Sequence, residues 1–361
     1  MTQQEDYSGT RAITPAQAFD QDALARWLTH NLAGFVGPLS IQSFKGGQSN
    51  PTYQLITPTQ TYVMRSKPAP VAKLLPSAHA IEREFAVMRA LAHTDVPVPA
   101  MLCLCEDESV IGRAFYIMSM VSGRIWWDQS LPAQTTAGRA AIYDEMNRVI
   151  AALHTVDYQA IGLANYGKPG NYFERQIGRW SKQYSASITE PIAEMDRLMD
   201  WLPAHIPAMA RDPAMVSIVH GDYRMDNLVF HPTELRVIAV LDWELSTLGH
   251  PLADFSYHCM AWHIPPGAFR GIGGLDLANL GIPAQDDYIR SYCHRTGLAT
   301  PGQLAADWSF YMAYNLFRMA AILQGIGKRA QDGTAASAQA LRAAAGARPL
   351  AELAWQFAQR T

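Results

Sequence analysis

The sequence predicts an α+β protein of two lobes, a small β-rich one over residues 1–122 and a larger, mainly helical one over 123–361. Three observations predict it. Strand signals concentrate before residue 122, helical periodicity dominates after Gly123, and 361 residues exceed the ~100–200 of one average domain. Apolar residues make up 49% and charged residues 17%, enough to bury a large core and too apolar for general disorder or a small stapled domain.

In chain order, Leu24, Leu28, Leu32 and Phe35 recur at helical spacing within residues 17–37. Residues 41–44 and 52–57 read as strands joined by the run Lys45-Gly46-Gly47-Gln48-Ser49-Asn50. Residues 61–65 form a third strand, ended by Pro68 and Pro70. A helix over 78–92 follows, then strands at 101–105 and 115–121 around Gly112. Beyond Gly123, residues 137–153, 173–184 and 191–202 carry helical patterns. Two short apolar runs, 215–219 and 237–241, then enclose a polar loop. From Pro251 onward the chain reads as mostly helical, Gly-rich near 267–274 and Ala-rich from 335 to 359. No repeat or long linker is evident.

A formal charge of -3 gives no global field for nucleic acid or a polybasic membrane contact, so neither is an expected partner. The cysteines, Cys103, Cys105, Cys259 and Cys293, lack metal-knuckle or redox spacing and read as thiols of a reducing compartment. The N-terminal MTQQEDYSGT is acidic where a signal peptide is basic, and no window approaches ~18 uninterrupted apolar residues. A soluble cytoplasmic protein is therefore expected, with room for a homodimer.

The chemistry lies in Val219-His220-Gly221-Asp222-Tyr223-Arg224-Met225-Asp226-Asn227-Leu228, followed by Leu241-Asp242-Trp243-Glu244. Two apolar strands deliver His220, Asp222 and Asn227 on one loop and Asp242 at a strand end. A carboxylate and an amide within reach of one metal, with a second carboxylate for an incoming hydroxyl, suit phosphoryl transfer. Asp222 is the expected catalytic base, and Asn227 and Asp242 offer the hard oxygens that Mg²⁺ takes. His220 reads as a packed orienter of the loop. Taken alone, His220-Gly221-Asp222 is also a plain polar turn, and Asp242 could cap a helix with Glu244 as the ligand. Arg224 sits between these residues, where it could meet an anionic substrate.

These residues resemble the aminoglycoside phosphotransferase family, whose hallmark is His-Gly-Asp, Asn five residues on, and Asp near a strand end. The resemblance implies a protein-kinase-like fold with Mg-ATP as the phosphoryl donor. It assigns His220 as the loop histidine, Asp222 as the base, and Asn227 and Asp242 as magnesium ligands. Gly249-His250-Pro251-Leu252-Ala253-Asp254 resembles the family's Gly-x-Pro-x-x-Asp, in which the Asp braces the catalytic loop.

The N-terminal part supports this independently. In the helix over 78–92, Glu84 falls inside the apolar arc of Ile81, Phe85, Met88 and Leu91, whereas Glu82 falls outside it. A charge held toward a core needs a partner. Arg65, on a strand face with Thr61 and Val63, is the expected one. The pair resembles the kinase strand cation and helix Glu that position nucleotide phosphates, with Arg where Lys is usual. Gly46, Gly47, Ser49 and Asn50 fit a plain hairpin turn when taken alone, and a phosphate lid when read together with the downstream residues 220–242. No GxxxxGK[ST] or GxGxxG string is present.

His250, His258, His263 and Cys259 lack zinc-ligand spacing. Trp126, Trp127, Trp243 and Trp262 either line a cleft or pack between helices. A protein kinase is disfavoured because no Asp-Phe-Gly or Ala-Pro-Glu follows Asn227, and a catalytically silent domain remains the rival reading. Tyr-Arg beside Asp222, the stretch Gly-Gly-Gln-Ser-Asn-Pro-Thr-Tyr and Leu-Asp-Trp-Glu most resemble the family's kinase domains found beside acyl-CoA dehydrogenases. That branch implies a 4-hydroxyacyl-CoA as the small-molecule hydroxyl acceptor; separately, Trp126 or Trp180 could contact an acyl portion. Residues 261–361 hold 9 Lys and Arg against 6 Asp and Glu, which favours an anionic acceptor over a polycationic aminoglycoside.

Overall fold

The structure is a computed structural model that describes residues 9–45, 50–68, 80–267, 270–332 and 343–360. The chain forms two units: one comprises 1–127, 159–163 and 224–246, the other 128–158, 164–223 and 247–361. The first is thus discontinuous in sequence, where a single boundary after residue 122 is expected from composition.

Among the described residues the first unit holds a six-stranded antiparallel sheet in the order β1-β2-β3-β4-β6-β5. Its strands are β1 (Thr10–Arg11), β2 (Ser40–Phe44), β3 (Thr52–Ile56), β4 (Thr61–Ser66), β5 (Met101–Cys105) and β6 (Phe115–Ser119). Side chains alternate between its faces. Tyr53, Leu55, Tyr62, Met64, Phe115 and Ile117 bury one face with Leu24 and Leu28 of α1 (Gln21–Asn31). The alternate positions Arg65 and Tyr116 meet α2 (Ile81–Leu91), where Phe85 packs 6.1 Å from the Tyr116 ring. Helix α1 is shorter than the expected 17–37. The Asp20 side chain caps it by accepting the Ala23 N–H at 2.8 Å, and Gly34, with φ of 77°, turns the chain soon after Asn31.

Segment 224–246 joins this unit through a hairpin of β8 (Leu228–Phe230) and β9 (Val237–Val240). Arg124 and Phe230 exchange backbone hydrogen bonds of 2.8 Å each, and Val240 N–H donates to Pro97 at 2.8 Å. Glycine is required at 123, since a Cβ there would lie 2.2 Å from the Phe230 carbonyl oxygen.

In the second unit β7 (Ser217–Val219) pairs with β10 (Thr247–Gly249). The two apolar runs expected from sequence are therefore strands, each with its own three-residue partner. Helices α3 (Thr136–His154), α4 (Tyr172–Ala186), α5 (Ala193–Ala204), α6 (Pro251–Cys259), α7 (Leu277–Leu280), α8 (Gln285–Thr296), α9 (Pro301–Gln331) and α10 (Ala347–Ala358) make up most of the rest. Pro301 and a Thr300–Gln303 capping box start α9, whose Tyr311, Phe317 and Ala320 are fully buried. Among the described residues no helix is long and apolar enough to cross a membrane.

Candidate functional site

Arg65 is the hub of the first unit. Its Nε lies 3.0 Å from Glu84 Oε2, and its Nη2 donates to Asp242 Oδ1 at 2.6 Å and Glu244 Oε2 at 3.4 Å. Two edges of one planar fork thus serve the helix carboxylate and the 242–244 carboxylates at once, which a single ammonium does less readily. Glu84 is 1% exposed and also accepts from Asn50 Nδ2 at 2.8 Å and Tyr116 Oη at 3.1 Å. Burial alone would lower the Arg65 pKa, but Glu84 and then Asp242 more than offset it and raise it, so Arg65 keeps its charge. The Arg65–Glu84 pair expected from the helix arc is present, and Lys67 pairs with Glu82 instead.

Beside this network lies a cavity of about 990 Å³. Apolar Val63, Met88, Met118, Val229 and Leu241 line it together with Arg65, Asn227 and Asp242, as do Trp126 and Trp127. Apolar walls with a few polar groups are the usual composition of a small-molecule site. The hairpin explains how two distant residues reach it together. Leu228 pairs with Val240, and Leu241 N–H donates to the Asn227 carbonyl at 2.8 Å, so Asn227 and Asp242 sit at the same end of β8–β9. Asp242 has φ of 67° and ψ of 59°, a left-handed conformation that costs a non-glycine residue about 1–3 kcal/mol and clusters at functional positions.

The second unit carries the loop of residues 220–222. Asp254, in the first turn of α6, accepts the His220 N–H with Oδ2 at 2.7 Å and the Gly221 N–H with Oδ1 at 2.8 Å. His154 Nε2 lies 3.3 Å from the same Oδ2 and its Nδ1 lies 2.7 Å from Tyr292 Oη. Burial pushes the Asp254 carboxyl up, but His154, His220 and these hydrogen bonds hold it below the usual carboxylate range. His220 is fully buried and its Nδ1 accepts the Asp222 N–H at 3.2 Å, so the ring ties the loop to itself. Tyr257 Oη donates to Asp222 Oδ1 at 2.5 Å.

Of the remaining expected residues, Gly46, Gly47 and Ser49 lie outside the described residues. Asn50, expected at the phosphates, turns its carboxamide onto Glu84. Arg224 Nη2 lies 3.5 Å from Asp226 Oδ2. Trp243 and Trp262 are packing residues, their indole N–H groups donating to Val240 and Pro283 carbonyls at 2.9 Å each. His258 meets Tyr288 Oη at 2.8 Å, and His250 Nδ1 accepts the Leu252 N–H at the start of α6. Sequence reasoning missed Tyr116, Tyr257, Arg318 and the apolar lining of the cavity. Arg318 had a signal, being the one charge between Trp308 and Gly325.

Residues 40–303 match the phosphotransferase enzyme family. A crystal structure from Ralstonia eutropha JMP134, provisionally named an aminoglycoside phosphotransferase, is 63% identical with a TM-score of 0.85, covering 95% of this chain and 99% of that one. A thermostable mutant of an aminoglycoside phosphotransferase, in ternary complex with AMP-PNP and hygromycin B, shares the fold at 15% identity with a TM-score of 0.58, covering 93% and 98%. Mouse acyl-CoA dehydrogenase family member 10 is 46% identical over 358 residues, 97% of this chain and 32% of that protein. Human acyl-CoA dehydrogenase family member 11 is 39% identical over 353 residues, 97% of this chain and 44% of that protein. The chain thus spans about a third of the one curated relative and under half of the other.

Proposed function

The chain belongs to the phosphotransferase enzyme family, and from that premise we propose that it transfers the terminal phosphoryl group of Mg-ATP to a hydroxyl of a small molecule, a 4-hydroxyacyl-CoA. The observation that carries the reading is the Arg65 fork, which joins Glu84 of α2 to Asp242 at the wall of a nucleotide-sized cavity. In this reading Val63, Met88, Met118 and Leu241 take the base of ATP, and Arg65 holds phosphate oxygens. Gly46, Gly47 and Ser49 are assigned to phosphate binding on the resemblance alone, while Asn50 holds Glu84 and Glu84 holds Arg65. Asn227 and Asp242 present a carboxamide and a carboxylate, a donor set that fits magnesium, which uses one or two protein oxygens alongside substrate phosphates. When bound, magnesium supplies positive charge to the phosphate oxygens.

Asp222 orients the acceptor hydroxyl and takes its proton, His220 fixes the loop, and Arg224 meets the anionic acceptor. Little covalent chemistry is asked of the protein in such a transfer, so holding these groups in place is the main contribution. The acyl-CoA assignment draws on the acyl-CoA dehydrogenase names of the relatives and on the cation surplus of residues 261–361. The provisional name of the Ralstonia protein favours an aminoglycoside. A panel of 4-hydroxyacyl-CoA, the free 4-hydroxy acid and kanamycin, followed by ADP release and phosphorus NMR, decides between them. Turnover of the CoA ester with weak use of the free acid is expected. Turnover of kanamycin alone replaces the acceptor assignment, and ATP binding with turnover of none leaves a silent nucleotide-binding domain as the standing alternative.

A further inference from the structure

Helix α6 reaches the 220–222 loop twice. Asp254 holds its backbone, and three residues later, on the same helical face, Tyr257 holds the Asp222 side chain. Arg318 of α9 donates from Nη2 to the Gly221 carbonyl at 2.6 Å. Its guanidinium also lies 5.0 Å from the Tyr257 ring centre and 5.7 Å from that of Trp180. Tyr257 is 4% exposed and Arg318 7%. A buried guanidinium within an otherwise uncharged helical run is costly unless its neighbours repay it, and here they are the loop carbonyl and two aromatic rings.

We propose that Tyr257 is a positioning residue for phosphoryl transfer: its phenol fixes the plane of the Asp222 carboxylate, and Arg318 fixes the Tyr257 ring against the loop. The proposal rests on the reading of Asp222 as the group that orients the acceptor. The terminal torsion of an Asp side chain is broad and roughly two-fold, so an unanchored carboxylate samples many planes. A short phenol-to-carboxylate hydrogen bond selects one of them. Because transfer depends on the acceptor oxygen lying in line with the phosphoryl group, that selection acts on kcat. Tyr257 does not line the cavity that takes ATP in this reading, so nucleotide affinity is expected to stay unchanged.

The test is Tyr257→Phe, which keeps the ring and its contact with Arg318 and deletes only the hydroxyl. In protein labelled at the Asp carboxyl carbon, the Asp222 resonance is the one missing from Asp222→Asn. It moves in Tyr257→Phe if the phenol holds the carboxylate, and this needs no acceptor. With 4-hydroxyacyl-CoA, kcat falls about tenfold or more while KM for ATP and ATP affinity stay within twofold, which also certifies the fold. An unmoved resonance, or kcat within twofold of the parent, overturns the proposal. If Asp222→Asn itself keeps transfer within threefold, the reading of Asp222 fails, and the resonance separately decides whether Tyr257 anchors it.

Discussion

Replacing Asp254 by Ala should unmoor the 220–222 loop. The carboxylate is 2% exposed and accepts two backbone N–H groups, at 2.7 Å from His220 and 2.8 Å from Gly221. Hydrogen bonds to a charged group contribute about 1.5–3 kcal/mol each, and both donors are buried, so the gross loss is about 3–6 kcal/mol. Local relaxation and entry of water bring the loss below the middle of that range, to about 4 kcal/mol. Asp254→Asn keeps one acceptor oxygen and should lose about half as much. At roughly 2 °C per kcal/mol or more, Asp254→Ala lowers the melting temperature by about 8 °C. Because a two-unit chain need not unfold in one step, amide exchange of the peptide spanning 217–224 is followed beside the thermal melt. Protection at His220 and Gly221 should drop in the order parent, Asn, Ala. Asp254→Ala within 1 kcal/mol of the parent, with loop exchange unchanged, would refute the account of how the loop is held.

Three further outcomes follow from the same geometry. Asp242→Asn removes the charged member of the proposed metal pair and should raise the magnesium needed for half-maximal activity at least tenfold, and Asn227→Ala should raise it less; unchanged titrations of both argue against the pair. A double-mutant cycle of Arg65→Met and Glu84→Gln, read as ATP affinity, should show coupling of about 1 kcal/mol or more across the 3.0 Å ion pair, and additive losses break it. His250 and His258 are buried, which pushes their pKa values down to about 4, so well above pH 6.5 both are neutral in the folded and the unfolded chain. As pH falls from 6.5 toward 4 the unfolded chain binds protons that the folded one excludes, and stability is lost, by about 2 kcal/mol per histidine at pH 5. Denaturant midpoints at pH 7 and 5 check this, and replacing His258 by Phe should flatten the slope.

What was legible in the sequence was what chemistry or periodicity marks. Glu84 stood out because a carboxylate inside the apolar arc of a helix demands a cation, and Arg65 was the cation on the right strand face. The order His220, Asp222, Asn227, Asp242 was legible by residue type and spacing, though not the means by which Asn227 and Asp242 share one hairpin end. That depends on β8, which like β10 has three residues, too few for a period to register. Tyr257 was invisible because a tyrosine in an apolar helix reads as core, and only the fold shows its hydroxyl on Asp222. Helix α1 ended early because Gly34 and Pro38 override a pattern that continues through Phe35. The pairing of segment 224–246 with the first unit depends on Gly123 admitting β8, a close approach that composition does not record.

The claim that this chain is a Mg-ATP phosphotransferase is tested most directly by crystals grown with AMP-PNP and Mn²⁺, the metal located by anomalous scattering. The account predicts the base among Val63, Met88, Met118 and Leu241, and a manganese peak at ligand distance from Asn227 and Asp242. A nucleotide outside that cavity, or a metal bound to neither residue, would contradict it.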